Sequence, residues 1–528
     1  MTEEKRKTGN AFDDVLMQVG EFGRYQRRLF LLLCIPGMLC AMHKLAWVFL
    51  GAYAEHRCLL PWEHAHNASF VLPETVEAHA WLSWSEARQT WARCSRLAMN
   101  SLNSTEPCSE WVFDKHHYPS SAVFEFQLVC DWEWARGTAN TALVIGGLLG
   151  ATIFGNLSDR LGRRPVFFSA LVLQACAGIS ASVAPTFWSF VLARFALGAT
   201  VPGVYITSCV LGMEMVGPTK RRFATIVMQM FFSFGYLLTA IIAYLVHEWR
   251  HLQLVLSLPG LFCLAYWWLL PESPRWLMGQ GRIAEAAIVL QEVANDNSSD
   301  MPADEVAHLD KLLTSVAEGM QEVKDSSSPS STKSSLLHLL RHFPKLRRRA
   351  LTILIIWFVN GISYFGLSWN TGDLAGNNYV NFSISGLVEI PAHILVLLIV
   401  EWRDIHWLLI TLAMVGKMAI TASYGTAYLV SGEIFPTSVR NAGLGACSTT
   451  AALGAIAASF LVILSTVWSR LPFLLIGGLT TLAGILAWTL PETLNRDLPD
   501  TLEDGENFTV KCEEKKLKGM NNEIDVKV

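Results

Sequence analysis

Charge is scarce in this chain: 16% of its 528 residues are Asp, Glu, Lys or Arg, and they sum to a net charge of -4. So small a balance offers no electrostatic footprint for nucleic acid. Also missing are a Gly-x-x-x-x-Gly-Lys phosphate loop, a Gly-x-Ser-x-Gly nucleophile elbow and any cysteine or histidine spacing suited to a metal. An enzyme, ATP coupling, a cofactor and a resident metal are therefore not expected. The first thirty residues are polar and hold no short apolar stretch followed by small residues, so no cleaved leader is expected. What the chain has in excess is hydrocarbon: 52% of residues are hydrophobic and the mean hydropathy is +0.33, too apolar for a soluble protein of this size.

A window of about twenty residues finds apolar runs long enough to cross a bilayer. They lie near 29–51, 138–157, 166–185, 187–211, 224–246, 252–270, 350–369, 383–400, 407–430, 441–463 and 471–490. This reads as an all-α membrane protein of about eleven spans. Arg24, Arg27 and Arg28 precede the first span, Arg160, Arg163 and Arg164 follow the second, Lys220 to Arg222 follow the fourth, and Arg275 and Arg282 follow the sixth. Basic residues on alternate loops predict a cytoplasmic amino terminus at 1–28.

The same count places 52–136 outside the cell. That loop holds Cys58, Cys94, Cys108 and Cys130 and the sequons at Asn67 and Asn103, predicting a disulfide-stapled, glycosylated cap in an oxidising compartment. Four cysteines allow three pairings, and the sequence does not choose among them. Self-association is expected through this loop. Its histidines, His56, His64, His66, His79, His116 and His117, match no ligand motif. The other seven cysteines read as packing residues.

Residues 271–349 form a cytoplasmic linker between two bundles, 29–270 and 350–490. Its part near 282–323 has a helical pattern through Ala284, Ile288 and Val293, followed by the serine-rich 326–332 and by Arg347 to Arg349 at the next span. A cytoplasmic tail, 491–528, closes the chain. The bundles echo each other. Glu214 leads through Pro218-Thr219 to Arg222 and then Pro271-Glu272-Ser273; Glu433 leads through Pro436-Thr437 to Arg440 and then Pro491-Glu492-Thr493. Such parallel repeats place a solute site at the midplane between the halves.

The charged turn Asp159-Arg160-Leu161-Gly162-Arg163-Arg164 resembles the loop after the second span of major facilitator transporters. Phe12 to Leu16, Gly20 to Gln26, Glu55 to Cys58, Pro271 to Leu277 and Glu433 to Asn441 together resemble solute carrier family 22, the organic cation, carnitine and organic anion transporters, along nearly the whole chain. The resemblance implies a major facilitator fold of two six-helix bundles working by alternating access in the plasma membrane. It also implies a gate of Asp159, Arg160, Gly162, Arg163, Arg164, Glu214, Arg222, Glu433 and Arg440 that clasps the outward-facing state and parts on inward opening.

By position in the family pattern, Tyr205, Phe232, Tyr236, Trp357, Tyr364, Glu389, His393 and Lys417 are expected to line the pathway of a small organic ion. Aromatic faces attract quaternary ammonium groups, and a midspan carboxylate such as Glu389 needs a partner or a cationic ligand. His43 and Lys44 in the first span are also unusual. Where relatives place a discriminating charge in a late span this chain has Ala451-Ala452-Leu453, and where anion carriers have lysine it has His393. Glu389 tilts the reading toward organic cations or carnitine-like zwitterions, with an organic anion exchanger as the alternative.

The second half is short. Asp159 and Glu214 are 55 residues apart, Asp404 and Glu433 only 29, a deficit of about one helix. Residues 401–406 stand where the family has a second charged turn and a ninth span. The chain is then a non-transporting splice product or faulty gene model, a transporter that tolerates the loss, or one with a re-entrant 401–406. Strict alternation would turn Glu433 to Arg440 and the lysine-rich tail outward, whereas the repeat and the charge favour inside.

Overall fold

The computed structural model describes residues 12–297, 341–394 and 416–491, with gaps that fall mostly in the loop 52–136, and Leu502 and Glu506 of the tail. In hydrocarbon every backbone polar group must be satisfied within the segment, so the apolar runs become helices. The first half contains α1 (Arg24–Leu45), its short continuation α2 (Trp47–Leu50), α3 (Glu133–Leu161), α4 (Arg163–Ser182), α5 (Phe187–Met215), α6 (Arg221–Leu245) and α7 (Trp249–Ser257). The linker adds α8 (Pro274–Gly279) and α9 (Ile283–Asn297). The second half contains α10 (Pro344–Trp369), α11 (Asn378–Leu387), α12 (Gly416–Ile434), α13 (Arg440–Ser465) and α14 (Leu471–Ala487). Seven helices among the described residues are long and apolar enough to cross a membrane.

The run at 252–270 is not one helix. Pro259 has no N–H to continue the ladder and opens a new short helix, Pro259–Phe262, followed by a 3-10 turn at Cys263–Trp268. The linker helix also departs from its expected register. Ala286, Ala287, Leu290, Val293 and Ala294 are buried, while Ala284 and Ile288 are exposed. The serine-rich stretch lies outside the described residues.

Within the first half α5 packs on α3 and α4, and α1 on α5 and α6; within the second α10 packs on α12, α13 and α14. A methyl group added at Gly150 or Gly198 would collide with the facing backbone carbonyl of the α3–α5 pair, and one at Gly361 or Gly454 with that of the α10–α13 pair. Helices in lipid gain little from hydrophobicity toward each other, so this close approach of backbones is what holds them. The halves meet through α6 with α11 and α3 with α13.

Two faces can be defined. The basic face carries the turn at Gly162 and the starts of α1, α6 and α10; the cap face carries the loop 52–136. Along α6, Ser233 meets Glu389 and Tyr236 meets Ser385, so α11 runs antiparallel to α6, toward the basic face. Trp357 meets Ser431 and Tyr364 meets Tyr424, so α12 runs antiparallel to α10 and also toward the basic face. Glu433 and Arg440 therefore lie at the same face as the first-half gate. The outward flip that strict alternation called for does not occur. The deficit itself falls at 395–415, outside the described residues.

The tail sits at the basic face too. Glu506 accepts the backbone N–H groups of Lys345 and Leu346 at 2.9 and 2.7 Å, and Leu502 is buried with Leu346, Ile434 and Phe435. Among its described residues the cap holds three two-stranded antiparallel ladders, β1 (His56–Cys58) with β6 (Trp111–Phe113), β2 (Trp84–Ser85) with β3 (Thr90–Trp91) and β4 (Ser95–Leu97) with β5 (Thr105–Pro107). Disulfides Cys58–Cys108 and Cys94–Cys130 staple it, selecting one of the three pairings. Asn67 and Asn103 lie outside the described residues. Cys34, Cys40, Cys263 and Cys447 are buried free thiols, and Cys176 is exposed.

Candidate functional site

At the basic face the charged turn closes on a single residue. Gly162, at φ +105°, ends α3 and starts α4 in a conformation that suits glycine. The carboxylate of Glu272 then accepts the first N–H groups of α4, from Arg163 at 2.9 Å and from Arg164 at 3.2 Å, as a negative group at a helix N-terminus should. Arg163 reaches back to Asp159 at 3.1 Å and across to Glu214 at 3.1 Å. Trp276 donates its indole N–H to the Asp159 carbonyl at 2.9 Å, and Arg164 stacks on Trp267 with 4.6 Å to the ring centroid.

A second cluster lies beside it. Asp13 accepts both Arg221, at 2.6 and 3.2 Å, and Arg275. Burial lowers the Arg275 guanidinium pKa, while the nearby Asp13 carboxylate pulls it up. Asn297 at the end of α9 bonds Val19, Gln26 and Tyr25, and Arg28 pairs with Asp296 at 2.6 Å. The amino terminus and linker are thereby fastened to the first bundle.

The gate residues of the sequence reading are only partly brought together. Asp159, Gly162, Arg163, Arg164 and Glu214 cluster; Arg160 is exposed. Glu214 pairs with Arg163, and Arg221 pairs with Asp13. The side chains of Arg222, Glu433 and Arg440 lie outside the described residues. The described ion pairs of this face join residues of the first bundle to one another and to the linker. Asp13, Glu272, Arg221 and Arg275 went unassigned, although Asp13, Glu272 and Arg275 stand within the family-like motifs; a contact across more than a hundred residues leaves no local spacing.

At the midplane the aromatic residues gather where the halves meet. Tyr205 and Phe232 are edge to face at 5.8 Å; Tyr236 packs on Phe382 at 4.3 Å and hydrogen-bonds Ser385 at 3.1 Å. Trp357 donates its indole N–H to Ser431 at 2.8 Å and meets Tyr428 at 4.3 Å and Tyr424 at 5.5 Å; Tyr364 lies 5.9 Å from Tyr424. Between these groups Glu389, 1% exposed, accepts the Ser233 hydroxyl at 2.8 Å. Tyr364 and His393 lie within its electrostatic reach. A buried carboxylate with tyrosine and histidine side chains beside it is suited to a desolvated organic cation. The Lys417 side chain lies outside the described residues.

Above the midplane the halves are joined. Phe49 packs on Phe382 and Tyr379 at 4.8 and 5.2 Å, Trp369 donates to the Lys44 carbonyl at 3.4 Å, Asn378 donates to the Tyr118 hydroxyl at 2.8 Å, and Asn140 donates to Ser459 at 3.3 Å. These bridges lie between the midplane and the cap face.

In the cap, His56 is 4% exposed and sits between the Tyr53 hydroxyl, at 3.3 Å from Nδ1, and Cys130 Sγ, at 3.7 Å from Nε2. Burial lowers its pKa to about 4. His56, Cys94 and Cys130 have the proximity of a metal site, but the two sulfurs are bonded to each other.

Comparison with known proteins follows the same lines. Residues 115–368 match the family model described as sugar (and other) transporter. The chain is 43% identical to the organic cation transporter protein of Drosophila melanogaster, covering 94% of this chain and 95% of that one. It is 31% identical to organic cation/carnitine transporter 2 of Homo sapiens, over 93% of each, and 33% identical to solute carrier family 22 member 1 of Oryctolagus cuniculus, over 96% of this chain and 97% of that one. Among solved structures, the xylose transporter XylE from E. coli in a partially occluded inward open conformation superimposes with a TM-score of 0.57 at 16% identity, covering 90% of this chain and all of that one. At that identity the likeness speaks for the major facilitator fold alone. With a buried acid between the bundles and such relatives along its length, this chain belongs to solute carrier family 22, a membrane transporter of the major facilitator superfamily.

Proposed function

We propose that the chain carries small organic cations, including zwitterions with a quaternary ammonium group such as carnitine, across the plasma membrane by alternating access, with the basic face cytoplasmic. The observation that carries this reading is Glu389: a buried carboxylate at the junction of α6 and the second half, bonded to Ser233 and with Tyr364 beside it. A cation entering there replaces water with a carboxylate and ring faces, each ring contributing about 0.5–2 kcal/mol. In the same reading Tyr205, Phe232, Trp357 and His393 line the path, and Lys417 stands at its edge. Cross-half bridges crowd toward the cap face, which fits a conformation opening at the basic face. The membrane potential would drive a monovalent cation inward by about 2.3 kcal/mol per 100 mV. Neither the anion exchanger nor the non-transporting form gains an observation.

The test is uptake of labelled tetraethylammonium, carnitine and para-aminohippurate by cells expressing the full chain, beside a Glu389→Gln variant matched for surface amount. Uptake of the first two, lost at least about tenfold in the variant as expected for removal of a buried charge partner, supports the reading. Transport of para-aminohippurate alone overturns it.

A further inference from the structure

The first span carries His43 and Lys44 side by side, and α5 carries Arg194, three basic residues in the cap-face half of the first bundle. Arg194 is fully buried, and among the described residues no carboxylate contacts it. Its Nε donates to the Ala139 carbonyl at 3.0 Å, its Nη2 to Asn140 Oδ1 at 3.3 Å, and its plane lies over Trp47 with 4.5 Å to the ring centroid. Lys44, the other nearby cation, stacks on Phe365 at 4.7 Å. Neutral dipoles and ring faces do not repay the desolvation of a guanidinium; an opposite charge does.

Two polar atoms are left over at this place. Among the described residues Nη1 of Arg194 and Nδ1 of His43 have no hydrogen-bond partner; His43 is 3% exposed and stands one helical turn before Trp47, the ring that Arg194 covers. An arginine N–H and an imidazole N–H, which one tautomer of histidine supplies, are donors that an anion completes. We propose that Arg194 Nη1 and His43 Nδ1 together hold a small monovalent anion, either free chloride or the carboxylate of a zwitterionic solute. The site is wired into the junction between the halves, because Asn140, which accepts from Arg194, donates to Ser459 of α13 at 3.3 Å. An occupant there would favour the state in which the cap face is closed.

The readout is binding, so the result stands apart from which cation is carried. The full chain, purified in detergent, is unfolded thermally while chloride replaces gluconate at constant ionic strength. Carnitine and choline, which differ by the carboxylate arm, are added in parallel. A saturable rise of about 2–4 °C is expected for the wild type, absent in Arg194→Gln and in His43→Leu. If chloride gives the rise and carnitine and choline behave alike, the occupant is the free ion. If carnitine but not choline gives the rise, and chloride erases the difference, the occupant is the solute carboxylate. Arg194→Lys, which keeps the charge, serves should Arg194→Gln fail to fold. No rise with chloride or carnitine in the wild type overturns the proposal, and so does a rise that His43→Leu and Arg194→Lys both retain in full.

Discussion

Arg163 holds Glu214 with two nitrogens, Nε to Oε2 at 3.2 Å and Nη2 to Oε1 at 3.1 Å, joining the start of α4 to the end of α5. Both side chains are largely buried, so the pair is less screened than a surface one. A double-mutant cycle with Arg163→Ala and Glu214→Ala, read by thermal stability of the purified chain, should give a coupling of about 1–2 kcal/mol. Arg163→Lys should recover only part of it, since an ammonium cannot make both contacts from one planar group. Strictly additive losses would show that the two residues act independently.

Gly162 and Glu272 should be coupled as well, through sterics. A methyl group at position 162 would collide with Glu272 Oε2, and the backbone there has φ +105°. Gly162→Ala is expected to destabilise by about 1–3 kcal/mol from the backbone strain alone, and by more while Glu272 is present. In a Glu272→Ala background the Gly162→Ala cost should shrink to the backbone part. An unchanged cost in that background would remove Glu272 from the account.

His56 gives the cap a pH dependence with a definite sign. Its pKa falls to about 4 in the folded chain, mainly by burial, while the unfolded chain titrates near 6.5. Between those values the unfolded state binds more protons, so stability rises with pH across the window and is lost as pH falls from about 6.5 to 4. The loss is at most about 3 kcal/mol. His56→Phe should flatten this slope in unfolding measured from pH 4 to 7; a slope that survives the substitution would assign it to other groups.

The helices, the basic face and the midspan acid were legible because they rest on local facts: apolar length, loop charge and a carboxylate inside hydrocarbon. The partners were not. Asp13 with Arg221 and Glu272 with the start of α4 join residues more than a hundred positions apart, and no periodicity encodes that. The repeat marked Glu214 as an acid of interest without naming its partner, Arg163 on a neighbouring helix. Pro259 shows the opposite failure. Hydropathy is blind to a missing N–H, so the broken sixth run reads as continuous. The direction of α12 followed from side-chain neighbours alone, and it settles what counting spans had left in conflict.

That direction makes the tail an informative place to cut. Leu502 and Glu506 are one helical turn apart in sequence, and both face α10: Leu502 into the cluster with Leu346 and Phe435, Glu506 onto the N–H groups of Lys345 and Leu346. A carboxylate on a helix N-terminus contributes about 0.5–2 kcal/mol, and truncating a buried leucine to alanine costs about 2–5 kcal/mol. Glu506→Ala should therefore lower stability modestly, Leu502→Ala more, and the pair by less than the sum, because both act through the same docked segment. Thermal unfolding of the three variants checks the order. A fragment ending at residue 500 should resemble the double variant, since the contacts that it loses are the same. Full stability in that fragment would show that α10 holds its basic-face end without the tail.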